Sequence, residues 1–133
     1  MAAEKVVYAL LSQASAVTAL VGARIYPLQV PQDDDLPAIT YEVISAFELD
    51  RLDAASAYTL TQTRISVAWV DTDYRRLKTG LKAVRAACWY ARGAIAGVQV
   101  VSVLPGGTGP DLRDTDMALY SQSVDFLITH HEP

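Results

Sequence analysis

Few residues in this 133-residue chain have types and spacings that could do chemistry. His130 and His131 are a potential metal or proton-transfer pair, and Cys88 a potential nucleophile. The glycines of GGTG at 106–109 suggest a phosphate cradle, and Asp111, Asp114 and Asp116 a cation site. Each lacks what its chemistry requires. Adjacent histidines in a strand point to opposite faces, and these two stand where chain ends are usually poorly ordered, so they read as a ragged end. Cys88 falls on an apolar helical stripe, which predicts a buried, inert thiol. A phosphate loop needs a following helix N-terminus and usually a lysine, whereas GGTG is followed by aspartates and a strand. The three aspartates are too few and too widely spaced for a calcium loop. No nucleophile with its base and no cofactor loop is legible. The sequence therefore predicts no enzyme, no metal and no cofactor.

A different feature stands out in the charge distribution. Arg75, Lys78, Lys82, Arg85 and Arg92 recur at helical spacing, and with Arg76 they make six of the eleven basic residues. Only Asp71 and Asp73, of fifteen acidic residues, share that segment. Two readings stand: a solvated helix face, or a surface complementary to an acidic partner. Asp33–Asp35 and Asp50–Asp53 are the acidic stretches that such a surface would meet.

These residues need a scaffold, and composition bounds it. The chain is 51% hydrophobic and 20% charged, with seven glycines and six prolines, which predicts one globular domain over residues 1–133. No apolar run approaches the roughly 20 residues that span a bilayer. The start, with Glu4 and Lys5 in a helical pattern, does not read as a signal peptide. A single cysteine excludes an internal disulfide and favours a reducing compartment. A net charge of −4 argues against general nucleic-acid affinity.

Periodicity places the elements. Val6, Val7, Leu10, Leu11 and Ala14 form one helical stripe over Ala3–Ala14. Ser15 would cap a short turn ending at Gly22, and RIYP would make a brief strand ended by Pro27. Leu28–Pro37 reads as an exposed loop. From Ala38 the period falls to two, with Ile39, Tyr41 and Val43 alternating in one strand and Ile65, Val67 and Trp69 in a second, over Thr59–Val70. The segment between them reads either as the projecting outer half of a long hairpin or as a loop. Asp71–Arg92 predicts a long helix with Tyr74, Leu77, Leu81, Val84, Cys88 and Ala91 on its apolar face. Val98–Leu104 reads as a central strand covered on both faces, PGGTGP at 105–110 as a loop, and Met117–His130 as a final strand. Trp69 and Leu81 should be buried where helix meets sheet. The expected fold is α+β, with a mainly antiparallel sheet of about four to five strands, one long helix packed on it and an N-terminal helix.

Three stretches then carry a resemblance: VTALVGARIYPLQVPQDDDLPAITYEVIS at 17–45, TQTRISVAWVDTDYRRLKTGLKAVRAA at 61–87 and DTDMALYSQSVDFLITH at 114–130. Their order of G-x-R-I-Y-P, P-x-I-T-Y, a strand into a long helix, and S-x-D-F resembles the tail-completion or tail-terminator family of long-tailed bacteriophages and gene transfer agents. The resemblance covers nearly the whole chain, and its motifs are structural rather than catalytic. It implies a virion protein made in the bacterial cytoplasm, forming a homo-hexameric ring at the head-proximal end of the tail tube. There it would stop tube growth and meet the major tail tube protein and a neck or head-completion protein, with DNA passing through the channel without specific binding. The interface residues proposed on this basis are Arg75, Lys78, Lys82 and Arg85 on the basic side, and Asp33, Asp34, Asp35, Asp50 and Asp53 on the acidic side. The alternative is a small-ligand-binding or regulatory α+β module, which would need a pocket with convergent polar groups.

Overall fold

Alternating strands pair where each has one face to bury, and the two longest form the centre of the sheet. The computed structural model describes residues 2–49 and 59–132. In chain order its elements are α1 (Ala2–Gln13), α2 (Ser15–Val21), β1 (Ile25–Pro27), β2 (Ala38–Glu48), β3 (Thr59–Asp71), α3 (Tyr74–Cys88), β4 (Gly93–Ile95), β5 (Val98–Thr108), β6 (Leu112–Asp114) and β7 (Leu119–Glu132). β3 and β7 pair antiparallel along their whole lengths, from Thr59 opposite Glu132 to Asp71 opposite Tyr120. Ile65, Val67, Trp69, Val124, Phe126 and Ile128 are buried on one face of this pair, while Arg64, Ser66, Asp125 and Leu127 lie half-buried on the other.

The sheet order is β1-β2-β3-β7-β5-β4, and β6 pairs β7 beyond the end of β5. This corrects the expected architecture. The described residues form seven strands rather than four or five, and the sheet is mixed, because β1 runs parallel to β2 with Ile25 opposite Ile39. Three helices among the described residues, not two, accompany it. The strands that periodicity misses are β4 and β6, each only three residues long and so without a readable period. α1, α2 and α3 contribute Val6, Val7, Leu11, Val17, Leu77, Leu81 and Val84 to the same contiguous core as Trp69 and Phe126. Trp69 and Leu81 are fully buried, as their spacing predicts.

Several local expectations change, each for a physical reason. Ser15 is the first residue of α2 and not its cap; Ala14 occupies the cap position and makes no side-chain bond there. Gly22 does end α2, with a positive φ of 59° that suits glycine. α3 stops at Cys88 rather than Arg92: Tyr90 turns to positive φ, and its N–H donates to the carbonyl of Val103, drawing the chain alongside β5. Tyr74 lies at the exposed start of α3, and Gly80 joins Leu77, Leu81, Val84 and Cys88 on the buried face.

β5 is buried on one face only, through Val98, Val100 and Val103, leaving Val101 and Leu104 exposed. Pro105–Thr108, expected as loop, continues β5, with Pro105 opposite Phe126 and Thr108 opposite Val124. Shifts of register between Val100 and Ser102 and between Pro105 and Gly107 break the alternation that would have revealed this strand. The histidines are not a ragged end. β7 is held on both sides, and His130 is buried with Nε2 2.9 Å from Thr63 Oγ1.

β2 and β3 form the expected hairpin, whose outer half includes exposed Ile44 and Phe47. Its tip, with Asp50 and Asp53, lies outside the described residues. A bulge at Ile44 resets the side-chain alternation, so Phe47 pairs with Gln62 and shares the helix-free face with Arg64 rather than the core face.

Candidate interaction surface

The basic residues of α3 are presented by a helix whose start is firmly set. The Asp73 side chain caps it, accepting the N–H groups of Arg75 at 2.9 Å and Arg76 at 3.3 Å. Two residues earlier, Asp71 is fully buried at the end of β3. Its carboxylate accepts from Trp69 Nε1 at 3.1 Å, from the Asp73 N–H at 3.1 Å, and from Arg76 through Nε at 2.8 Å and Nη2 at 2.6 Å. Burial pushes the Asp71 pKa up, but the Arg76 fork, the indole and the backbone donor outweigh it and hold it below the ordinary carboxylate value. Arg76 is thereby consumed by the fold.

The four residues singled out as the basic face are in different situations. Lys78 Nζ donates to Asp111 Oδ1 at 2.5 Å and to Gln122 Oε1 at 2.6 Å, and sits 5.0 Å from the Tyr74 ring centroid. Asp111 also accepts from the Tyr74 hydroxyl at 2.6 Å, and the bonds from Lys78 and Tyr74 lower its pKa. Arg85 reaches Thr108 Oγ1 at 3.2 Å. Arg75 and Lys82 are exposed, and among the described residues neither side chain forms an ion pair or hydrogen bond. The face is therefore graded: among the described residues two cations have no side-chain partner and two are tethered near the β5–β7 connection.

The acidic side is graded too. Asp34 accepts from the Tyr26 hydroxyl and the Asp35 N–H, which lowers its pKa and raises that of Tyr26. Asp33 and Asp35 are exposed on the same loop. Among the described residues, the hydrogen bonds of Asp34 go to Tyr26 and Asp35 and none joins this loop to the basic face. Sequence reasoning did not find Asp111 as the partner of Lys78, because 33 residues separate them and only the docking of α3 near β7 joins them.

The remaining candidate chemistry is absorbed by the structure. Asp114 accepts the N–H groups of Asp116 and Met117 and closes a turn. Burial pushes the Cys88 thiol up to about 12, far from a thiolate at neutral pH. Among the described residues, no three of His, Cys, Asp and Glu converge as a metal set. A cleft of about 490 Å³ between α1 and β2 is lined by Glu4, Lys5, Tyr8, Ala9, Tyr41 and Ala96, with a largely apolar wall. No helix of the described residues is long and apolar enough to cross a membrane.

Comparison with known proteins places the chain by family and by fold. A family model described as tail completion protein gp17 matches residues 5–131. Among solved structures, a chain from the virion of a native gene transfer agent particle superposes with a TM-score of 0.70. The two share 16% sequence identity over 94% of this chain and 91% of that one, a likeness of fold. No curated protein matches the sequence.

Proposed function

The chain belongs to the family of tail completion protein gp17, structural proteins of phage-type tails, and from that premise we propose that it closes the head-proximal end of the tail tube. In this reading copies of the chain, each one domain, assemble into a homo-hexameric ring that stops tube growth. One side of the ring meets the major tail tube protein and the other a neck or head-completion protein. The role is structural and non-enzymatic, and DNA passes through the ring without specific binding. The observation that carries this reading is the family match over residues 5–131. The absorbed chemistry of Cys88, Asp71 and Asp111 supports it, since each serves the fold.

The basic face of α3 has a place in this proposal. Arg75, Lys78, Lys82 and Arg85 face an acidic surface of a neighbouring copy or of a tail partner, with Asp33–Asp35 or the Asp50–Asp53 tip as the acidic side within the ring. A single exposed pair contributes only about 0–1 kcal/mol, so one substitution changes little. Reversing Lys78, Lys82 and Arg85 to Glu together repeats like-charge repulsion at every position around a ring. The triple variant is expected to keep its circular dichroism spectrum and to yield tails of uncontrolled length or tails that fail to join heads. Normal particles at both low and physiological salt would show that the stripe is only solvated.

A further inference from the structure

We infer that the two edges of the sheet are the two halves of a head-to-tail contact between copies of this chain. The outer half of β2 on one copy seats against the cleft beside β5 on the next. The inference rests on the ring reading for the purpose of the contact, not for its geometry.

The first half is an open strand edge. β1 covers β2 only from Ile39 to Tyr41. Beyond Tyr41, no strand among the described residues lies on the outer side of β2. On that side the Ile39 N–H donates to Arg24 and the Tyr41 carbonyl accepts from Leu28. The alternation then turns the backbone groups of Val43 outward. After the bulge the Leu49 N–H points inward to the Leu60 carbonyl, so the groups of Ala46 and Glu48 face out. Around this edge stand the exposed side chains of Val43, Ile44 and Phe47, the last 64% exposed, together with Glu42 and Glu48. The edge is both apolar and acidic.

The second half is a cleft of about 400 Å³ at the other end of the sheet, lined by Tyr90, Arg92, Val101, Ser102, Val103 and Leu104. Here the main chain is already occupied: Tyr90 bonds Val103, and Gly93 lies opposite Val100. The contact on this side is therefore made by side chains. Tyr90 is 68% exposed, and the charged group of the cleft is a cation. An acidic apolar knob on one edge and a basic apolar cleft on the other are complementary.

Register aligns the two. Phe47 lies opposite Gln62, Gln62 opposite Thr129, and Thr129 opposite Ser102 of the cleft. Knob and cleft thus stand at one level along the strands, and stepping a second copy sideways by one sheet width brings Phe47 to the cleft. The alternative, two β2 edges pairing about a two-fold axis, is disfavoured by the sequence. Glu42 and Glu48 both stand on this edge, so pairing it with itself brings like charges together, whereas the cleft offers Arg92. A contact between unlike patches repeats in one direction and closes into a ring when its rotation allows.

The test uses the full chain with Phe47→Cys or Leu104→Cys, both at exposed positions, and a short bis-maleimide linker; Cys88 is buried and unreactive. Mixing the two single variants should give a cross-linked dimer, while neither variant alone should. Self-cross-linking by Phe47→Cys alone would establish a two-fold contact and overturn the inference. So would the absence of any cross-linked product from the mixture, both in concentrated purified protein and in assembled particles. As a second measure, Phe47→Asp should weaken association of copies at least tenfold by sedimentation with an unchanged circular dichroism spectrum; unweakened association overturns the inference. Immunoblotting of purified tails separates this from the ring reading. Cross-linking by a chain absent from tails supports the contact and removes the tail role, whereas incorporation without cross-linking does the reverse.

Discussion

Asp71→Ala is expected to cost about 1–3 kcal/mol, the range for leaving a buried donor without its acceptor, since the Arg76 side chain opposite is half-exposed. Asp71 is fully buried, and its carboxylate is the single acceptor on which Trp69 Nε1, the Asp73 N–H and the Arg76 fork converge. Alanine leaves a buried indole N–H without an acceptor and a guanidinium without its counter-charge. It also loosens the join between β3 and α3, and with it the position of the basic face. Urea unfolding measures the loss, and a change below about 1 kcal/mol would contradict the described network. Acid gives the same information without mutation. The Asp71 pKa is depressed in the folded chain, so its stabilising contribution is complete above the ordinary carboxylate value near 4 and is lost as pH falls through the folded value. Asp71→Asn keeps an acceptor for the indole but removes the charge, and should flatten that acid-side loss.

Gly80→Ala is the second large effect, and its origin is steric. A Cβ at Gly80 would lie 2.4–2.5 Å from Cε2, Cζ2 and Cη2 of Trp69. Overpacking ordinarily costs about 1–3 kcal/mol, with relief coming from small shifts of the neighbouring side chain. Here the neighbour is a fully buried indole whose Nε1 is tied to Asp71, so a loss of about 3 kcal/mol is expected. Trp69→Phe in the same chain should recover part of that loss, because the six-membered ring of the indole is what the new methyl meets. A Gly80→Ala variant with wild-type stability would mean that α3 does not pack on Trp69 as closely as described.

Neither residue was legible for this role in the sequence, and the reasons differ. Gly80 interrupts an otherwise regular helical stripe, and periodicity registers large apolar residues, not the absence of a side chain where an indole needs room. Asp71 is where the periodic pattern of the long helix begins; only the end of β3 shows that Asp73 is the cap and Asp71 the buried acceptor. By contrast, β3 and β7 and the body of α3 were legible, because each is long and buries one clean face against the same core, while β2 was legible through the alternation of its inner half, Ile39 to Val43, alone. The mixed character of the sheet was not, since three-residue strands carry no period and a parallel pairing such as β1 with β2 leaves no local mark. Pro105 argued for a loop, yet β5 tolerates it because the alternation turns its nitrogen away from β7, where no ladder bond is lost.

The candidate surface was partly legible in the same sense. The spacing of Arg75, Lys78, Lys82 and Arg85 was visible, but not that Lys78 already holds Asp111 and Gln122 while Arg75 and Lys82 have no side-chain partner among the described residues. The place of Phe47 on the surface leaves no mark in the sequence, because the bulge at Ile44 that carries it to the helix-free face has no signature in composition.

The tail-closing role is tested most directly by electron microscopy of particles assembled without this chain. The account predicts tail tubes of variable, extended length and heads that carry no tail, both corrected when the wild-type chain is supplied. Tails of normal, uniform length joined to heads in its absence would contradict it.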